Sequence, residues 1–164
     1  MCNMKKMMMV IALSITATGL FAQKNPFEKF TDMEGVTSVY ISKNMMSLMP
    51  KDSNIAFGHV DVSNFINKLS SILILTSEEQ PVAKEMVSLA NKRIRDDQYE
   101  LLMRIKSDDN DRVSFYMKGK PENIREMLMI VEDDDGESVI MQFLGDFTLD
   151  DAKQITDGMQ QKKK

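Results

Sequence analysis

The sequence predicts an α+β domain, an antiparallel sheet with helices packed on one side, and three observations predict it. Residues 82–94 carry one apolar stripe at helical spacing, residues 99–118 switch to a period of two, and two further apolar runs, 124–132 and 138–144, follow with an acidic turn between them. A helical stretch followed by consecutive strands is the order expected when helices are segregated from an antiparallel sheet. With 164 residues, 43% of them hydrophobic and 28% charged, the chain can fill one core and fits one domain.

The first residues do not belong to that domain. Lys5 and Lys6 precede an apolar run from Val10 to Ala22, the charge-then-apolar order of a secretory signal peptide. Met7 to Ala22 counts 16 residues, short of the roughly 20 that a membrane span needs. The expectation is a signal peptide over 1–22, a single α+β domain over 23–161 and a basic tail at 162–164. Cleavage falls after Ala22, with Ala17-Thr18-Gly19 as a second site, because Leu20 is large for the third position before the cut. Cys2, the one cysteine, lies ahead of the apolar run and so cannot be the lipid-bearing cysteine of a lipoprotein. The mature chain is then cysteine-free, folds without disulfides, keeps no integral membrane span, and is periplasmic or secreted. Losing two lysines and no acid moves the formal net charge from −4 to −6, which disfavours nucleic acid as a partner.

Along the mature chain, Asn25, Pro26 and Gly35 bracket a short helix whose Phe27, Phe30 and Met33 lay an aromatic edge on the core. "VTSVYIS" alternates and is rich in β-branched residues, so it reads as a strand. Ser42 can cap a short helix, Lys43 to Met49, which Pro50 stops. Val62, Phe65, Ile66 and Leu69 have helical spacing and predict a helix over 61–70, followed by "SILILT" as a strand buried on both faces. The helix carrying Val82, Ala83, Met86, Leu89, Ala90 and Ile94 starts either at a Ser77–Gln80 capping box or with Pro81 in its first turn. Two half-buried strands then place Tyr99, Leu101, Met103 and Ile105, and Val113, Phe115 and Met117, on apolar faces. Thr148 and Asp151 frame the start of a last helix.

The most chemical-looking stretch is "IVEDDDGESVIMQF". Placing Gly136 at the sixth position of a calcium loop puts Val131 at its first, where an oxygen ligand is required, so that reading fails. A hairpin succeeds. A three-residue loop Asp134-Asp135-Gly136 sets Val131 opposite Val139, Met129 opposite Met141 and Met127 opposite Phe143, one wholly apolar face. "SDDND" at 107–111 is read the same way, as a turn.

The residues supply no catalytic or metal set. Zinc needs several Cys and His ligands, and His59 is the one histidine; no phosphate loop or nucleophile elbow can be assembled, and no cofactor is implied. Two binding candidates stand out. Met45, Met46 and Met49 share a helix too short to be stable alone and richer in apolar residues than one face needs, and methionine suits adaptable apolar surfaces. Arg104, Lys106, Arg112, Tyr116 and Lys118 would form a basic sheet face for an anionic partner.

"VYISKNMMSLMP", with "YELLMRIKSDD", "VSFYMKG", "IREMLMIVE" and "LGDFTLDD", resembles the domain of unknown function 4252 family of small exported Bacteroidota proteins, over nearly the whole mature chain. The resemblance implies export and an uncharacterised domain, and points toward envelope sensing; it brings no catalytic residues. The expected function is a non-enzymatic binding or interaction module of the envelope whose partner is an envelope protein or an apolar small molecule. The alternatives are a hydrolase-type enzyme using a carboxylate pair and a carrier of a small apolar ligand.

Overall fold

The computed structural model describes residues 25–49, 56–57, 60–63, 65–107, 110–133 and 135–153. The expected signal peptide, Pro50, His59 and the basic tail lie outside the described residues.

Asn25 opens the fold as the sequence predicts. Its Oδ1 accepts from the Phe27 N–H at 3.2 Å and starts a 3-10 turn, Pro26–Phe30, that buries Phe27 and Phe30 completely. Strand β1 (Thr37–Ser42) follows, and Ser42 caps helix α1 (Lys43–Ser47) by accepting from the Met45 N–H. A two-stranded ribbon, β2 (Ala56–Phe57) with β3 (Val60–Asp61), leads to β4 (Leu69–Ser77), then α2 (Gln80–Asp96). Four strands close the chain's main sheet: β5 (Glu100–Lys106), β6 (Arg112–Lys120), β7 (Asn123–Glu132) and β8 (Ser138–Phe147). A final helix, α3, begins at residues 149–153 under a reciprocal cap, in which Thr148 N–H donates to Asp151 Oδ2 at 2.8 Å and Asp151 N–H donates to Thr148 Oγ1 at 3.3 Å.

The six strands pair antiparallel in the order β1-β4-β8-β7-β6-β5. The class is α+β, and among the described residues the one long helix, α2, packs on one face of the antiparallel sheet. Against that face Ala83, Met86 and Ala90 of α2 meet Leu73, Leu75, Tyr116, Leu128, Ile130 and Ile140, together with Phe27 and Phe30. The opposite face carries Ile72, Phe115, Met117, Met127, Met129 and Phe143, covered by single-turn pieces through Met46, Phe65 and Ala152. Burial on both sides makes the middle of β6 and β7 fully core, so the half-buried pattern expected for β6 gives way to four consecutive buried residues, Ser114–Met117.

The hairpin register holds. Val131 pairs with Val139, Met129 with Met141 and Met127 with Phe143. Gly136 takes φ +100°, its N–H donates to the Asp133 carbonyl at 3.1 Å, and Asp133 N–H donates to the Glu137 carbonyl at 2.9 Å.

Two further local expectations change and one open alternative is decided. The helix over 61–70 is a single 3-10 turn, Ile66–Lys68, because Leu69 is claimed by the β4 ladder; Val62, Phe65, Ile66 and Leu69 are nonetheless all buried. The Ser77–Gln80 capping box does not form: Glu79 is the cap, Pro81 lies in the first turn, and Ser77 Oγ accepts from the Glu79 N–H instead. In β5 a bulge between Leu101 and Met103 sets Leu101 opposite Tyr116 and Met103 opposite Phe115, so the two sit on opposite faces rather than sharing one.

Candidate functional site

β1 is the edge of the sheet beyond β4, and α1 turns off its end. Inward residues anchor the segment: Ile41 and Met46 join the core beneath the sheet. Outward residues do not. Val39 is 43% exposed, Tyr40 66%, Met45 53% and Leu48 78%. Val39 faces the Ile41 side of the sheet and Tyr40 the α2 side, since their β4 partners are Ile74 and Leu73. The strand therefore shows apolar surface on both flanks of an open edge.

The predicted methionine trio divides accordingly. Met46 is core at 3% exposure, Met49 is half-buried against the same core, and Met45 faces solvent. Helical geometry explains the split, because Met45 and Met46 are adjacent in sequence and lie about 100° apart around the axis. Sequence reasoning missed that Leu48, Val39 and Tyr40, on the same stretch of chain as Met45, are exposed as well. The signal was present in "VYISKNMMSL", where apolar residues occupy both parities of the strand.

The basic residues do share one face, at the β5–β6 end beyond α2, but they are largely engaged. Tyr116 is buried, and its hydroxyl accepts from Arg104 Nη2 at 2.9 Å, while Arg104 Nε donates to Ser114 Oγ at 3.2 Å. Arg112 lies 3.5 Å from Glu132, and Lys118 lies 2.9 Å from Asp97. The lysine hydrogen bond to Asp97, joined by Arg93, holds that carboxyl below its ordinary range against the opposing effect of burial. Lys106 is exposed at the strand end.

Between α2 and the sheet lies a polar cluster the sequence reading did not single out. Glu126, with its side chain 6% exposed, accepts from Arg93 Nη2 at 2.8 Å on one oxygen and from Gln142 Nε2 at 2.5 Å on the other. Gln142 Oε1 accepts in turn from Asn25 Nδ2 at 2.6 Å, which ties the opening 3-10 turn to the sheet. The Arg93 guanidinium stacks 5.5 Å from the Phe27 ring and 5.9 Å from the Tyr99 ring. Burial, and then the neighbouring Glu126 carboxylate, push the Tyr99 hydroxyl well above its ordinary pKa. The available signal was Glu126 itself, a charge sharing a strand face with Leu128 and Ile130. With both oxygens held by protein donors, Glu126 works as a clamp between helix, sheet and opening turn, whereas a general base needs access to a substrate proton.

The described residues also enclose two concavities. One, of about 470 Å³, lies between α2 and the β7–β8 hairpin and is lined by polar groups including Gln80, Lys84, Asn91 and Asp133. The other, of about 240 Å³, is apolar, with Met103, Phe115 and Met127 as its floor and Leu149 and Ala152 of α3 at its side. Among the described residues no three of His, Cys, Asp and Glu converge on a point that could hold a metal ion. The Asp133 carboxylate serves its own loop, accepting from the Asp135 N–H at 2.9 Å. Among the same residues no helix is long and apolar enough to cross a membrane.

Compared with known proteins, residues 27–155 match a family model described as a domain of unknown function, DUF4252. No curated protein and no solved structure matches the chain.

Proposed function

The chain belongs to the DUF4252 family, and from that premise we propose that it is an exported, non-enzymatic interaction module of the cell envelope, docking a protein partner on β1 and α1. One observation carries the reading. Of the five large hydrophobic residues exposed among the described residues, Val39, Tyr40, Met45 and Leu48 fall within one segment, and Leu101 lies on the far edge of the sheet. Scattered exposed hydrophobics are ordinary; four of the five on one edge strand and the helix that follows it, with Val39 and Tyr40 on opposite flanks of that strand, support an interaction edge. Export is supported by Lys5, Lys6 and the Val10–Ala22 run, and the absence of a cysteine just behind that run argues for a periplasmic or secreted protein without a lipid anchor. The engagement of Glu126 and Asp97 by cationic partners supports binding over carboxylate catalysis.

The apolar concavity of about 240 Å³ favours a second reading, a carrier of a small apolar ligand, since small-molecule sites are concave and lined mostly by apolar side chains such as its Met103, Phe115 and Met127.

Met45→Glu and Leu48→Glu test the first reading. Both side chains are exposed, so stability should change by no more than about 0.5 kcal/mol. Capture of a protein partner from envelope extract should be lost. Undiminished capture by both folded variants would overturn the docking surface.

A further inference from the structure

We infer that β1 is a homotypic pairing edge: two copies of the chain join antiparallel through their β1 strands about a two-fold axis at Tyr40, continuing the six-stranded sheet across the pair. The inference rests on the reading of this segment as a docking surface and specifies what docks there.

The two edges of the sheet differ in the features that prevent strand pairing. β5, at one edge, carries Glu100, Arg104 and Lys106 and is broken by a bulge at Leu101/Met103. Charges and bulges of this kind blunt an edge. β1, at the other, reads TSVYIS, with no charge and no proline, and pairs with β4 through six unshifted positions from Thr37 to Ser42. A straight, uncharged, β-branched edge is a template for another strand. α1 does not obstruct it, because Met46 draws that helix over its own sheet toward Ile41.

The sequence suits a second copy of itself. A two-fold axis perpendicular to the sheet preserves its faces, so facing residues must share parity. Centring on Tyr40 sets Tyr40 against Tyr40 and Val39 against Ile41, matching aromatic with aromatic and β-branched with β-branched, while the Ser38 and Ser42 hydroxyls, also brought opposite, stay hydrogen-bonded to Thr31 and Met45 of their own chain. Centring on Val39 would set Ser38 against Tyr40 and Thr37 against Ile41. Charge agrees with the antiparallel sense. Exposed Asp32 and Glu34 precede the strand and exposed Lys43 follows it, so each copy brings its lysine toward the acidic end of the other.

Cross-linking tests the register in the full-length chain with Cys2→Ser. Facing Cα atoms of an antiparallel pair lie about 4.5–5.5 Å apart, within disulfide range. Tyr40→Cys should therefore cross-link to itself under mild oxidation. Val39→Cys alone should not, whereas Val39→Cys mixed with Ile41→Cys should. Light scattering should give twice the single-chain mass for the parent protein and the single-chain mass for Tyr40→Lys, whose circular dichroism stays that of the folded chain. A single-chain mass for the parent protein overturns the proposal, as does a dimer that survives Tyr40→Lys or a Val39→Cys that cross-links as fast as Tyr40→Cys. If the parent is single-chain while Met45→Glu and Leu48→Glu abolish envelope capture, homotypic pairing fails and the docking surface stands. If Tyr40-dependent dimers form and capture is unaffected by those variants, the reverse holds.

Discussion

Replacing Arg93 with Leu should destabilise the domain more than any surface change, and the polar cluster gives the size of the effect. The substitution leaves the Glu126 carboxylate, 6% exposed, with Gln142 as its remaining donor in this cluster at 2.5 Å. Breaking a buried ion pair from one side typically costs about 3–5 kcal/mol, because the surviving charge is neither solvated nor paired. Gln142 softens this, so about 3 kcal/mol is expected, or roughly 10 °C in melting temperature for a domain of this size. Glu126→Leu should cost less, about 2 kcal/mol, because Arg93 keeps Asp97 at 3.4 Å and its stacking on Phe27 and Tyr99. The double variant removes both charges and leaves only the Gln142 amide short of an acceptor, so it should cost about 2–3 kcal/mol rather than the sum of the singles. Urea unfolding of the four proteins completes the cycle. Strict additivity, or an Arg93→Leu loss below about 1 kcal/mol, would show that the cluster is solvated and does not clamp the helix.

Three further outcomes are expected. Gly136→Val should cost about 2 kcal/mol in urea unfolding, since φ is +100° and a Cβ would meet Gln80 Cγ at 2.8 Å; Gly136→Asn, which tolerates positive φ, should cost less. Mild peroxide followed by peptide mass spectrometry should oxidise Met45 well ahead of Met46, Met117 and Met127, which are at most 3% exposed; equal rates would contradict the assignment of Met46 to the core. On the acid side, Asp97 is held below its ordinary 3.8 chiefly by the Lys118 hydrogen bond, and Asp151, although burial alone would raise it, is held below by Lys68 and Thr148. Both lowered carboxyls stabilise the fold above pH 3.8, and that stability is lost as pH falls through their folded values; melting should therefore be flat above about pH 5 and steepen below 4, less steeply in Asp97→Asn.

Local chemistry was legible wherever one turn decided the outcome. Asn25, Ser42 and the Thr148–Asp151 pair cap as their side chains dictate, and the β7–β8 register follows from matching Met127, Met129 and Val131 to Phe143, Met141 and Val139. Legibility failed where distant chain decided. Val62, Phe65, Ile66 and Leu69 have helical spacing, but Leu69 gains a ladder to Gly145, a partner far along the chain, and the strand wins. The cluster around Glu126 draws on Asn25, Arg93 and Gln142, three separate elements that no local pattern connects.

The same limit explains why the exposure of β1 could not be read from "VTSVYIS", which predicts a strand and nothing of its position. Alternation in "VTSVYIS" reports side-chain parity, not the strand's place in the sheet. β1 and β4 are both apolar and both short of charge, and their composition would let either lie in the middle. Order separates them: among the described residues β4 is flanked by β1 and β8 and loses its surface on both sides, while β1 has β4 alone. Residues that would be core in the neighbouring position are left 43% and 66% exposed at Val39 and Tyr40. At roughly 25 cal/mol per Å² of apolar area, covering such side chains is a standing drive toward association. β5, which also sits at an edge, carries the charges and the bulge that cancel this drive, and β1 does not. Among the described residues β1 is thus the sheet edge that carries neither device, and the proposed pairing follows from that difference.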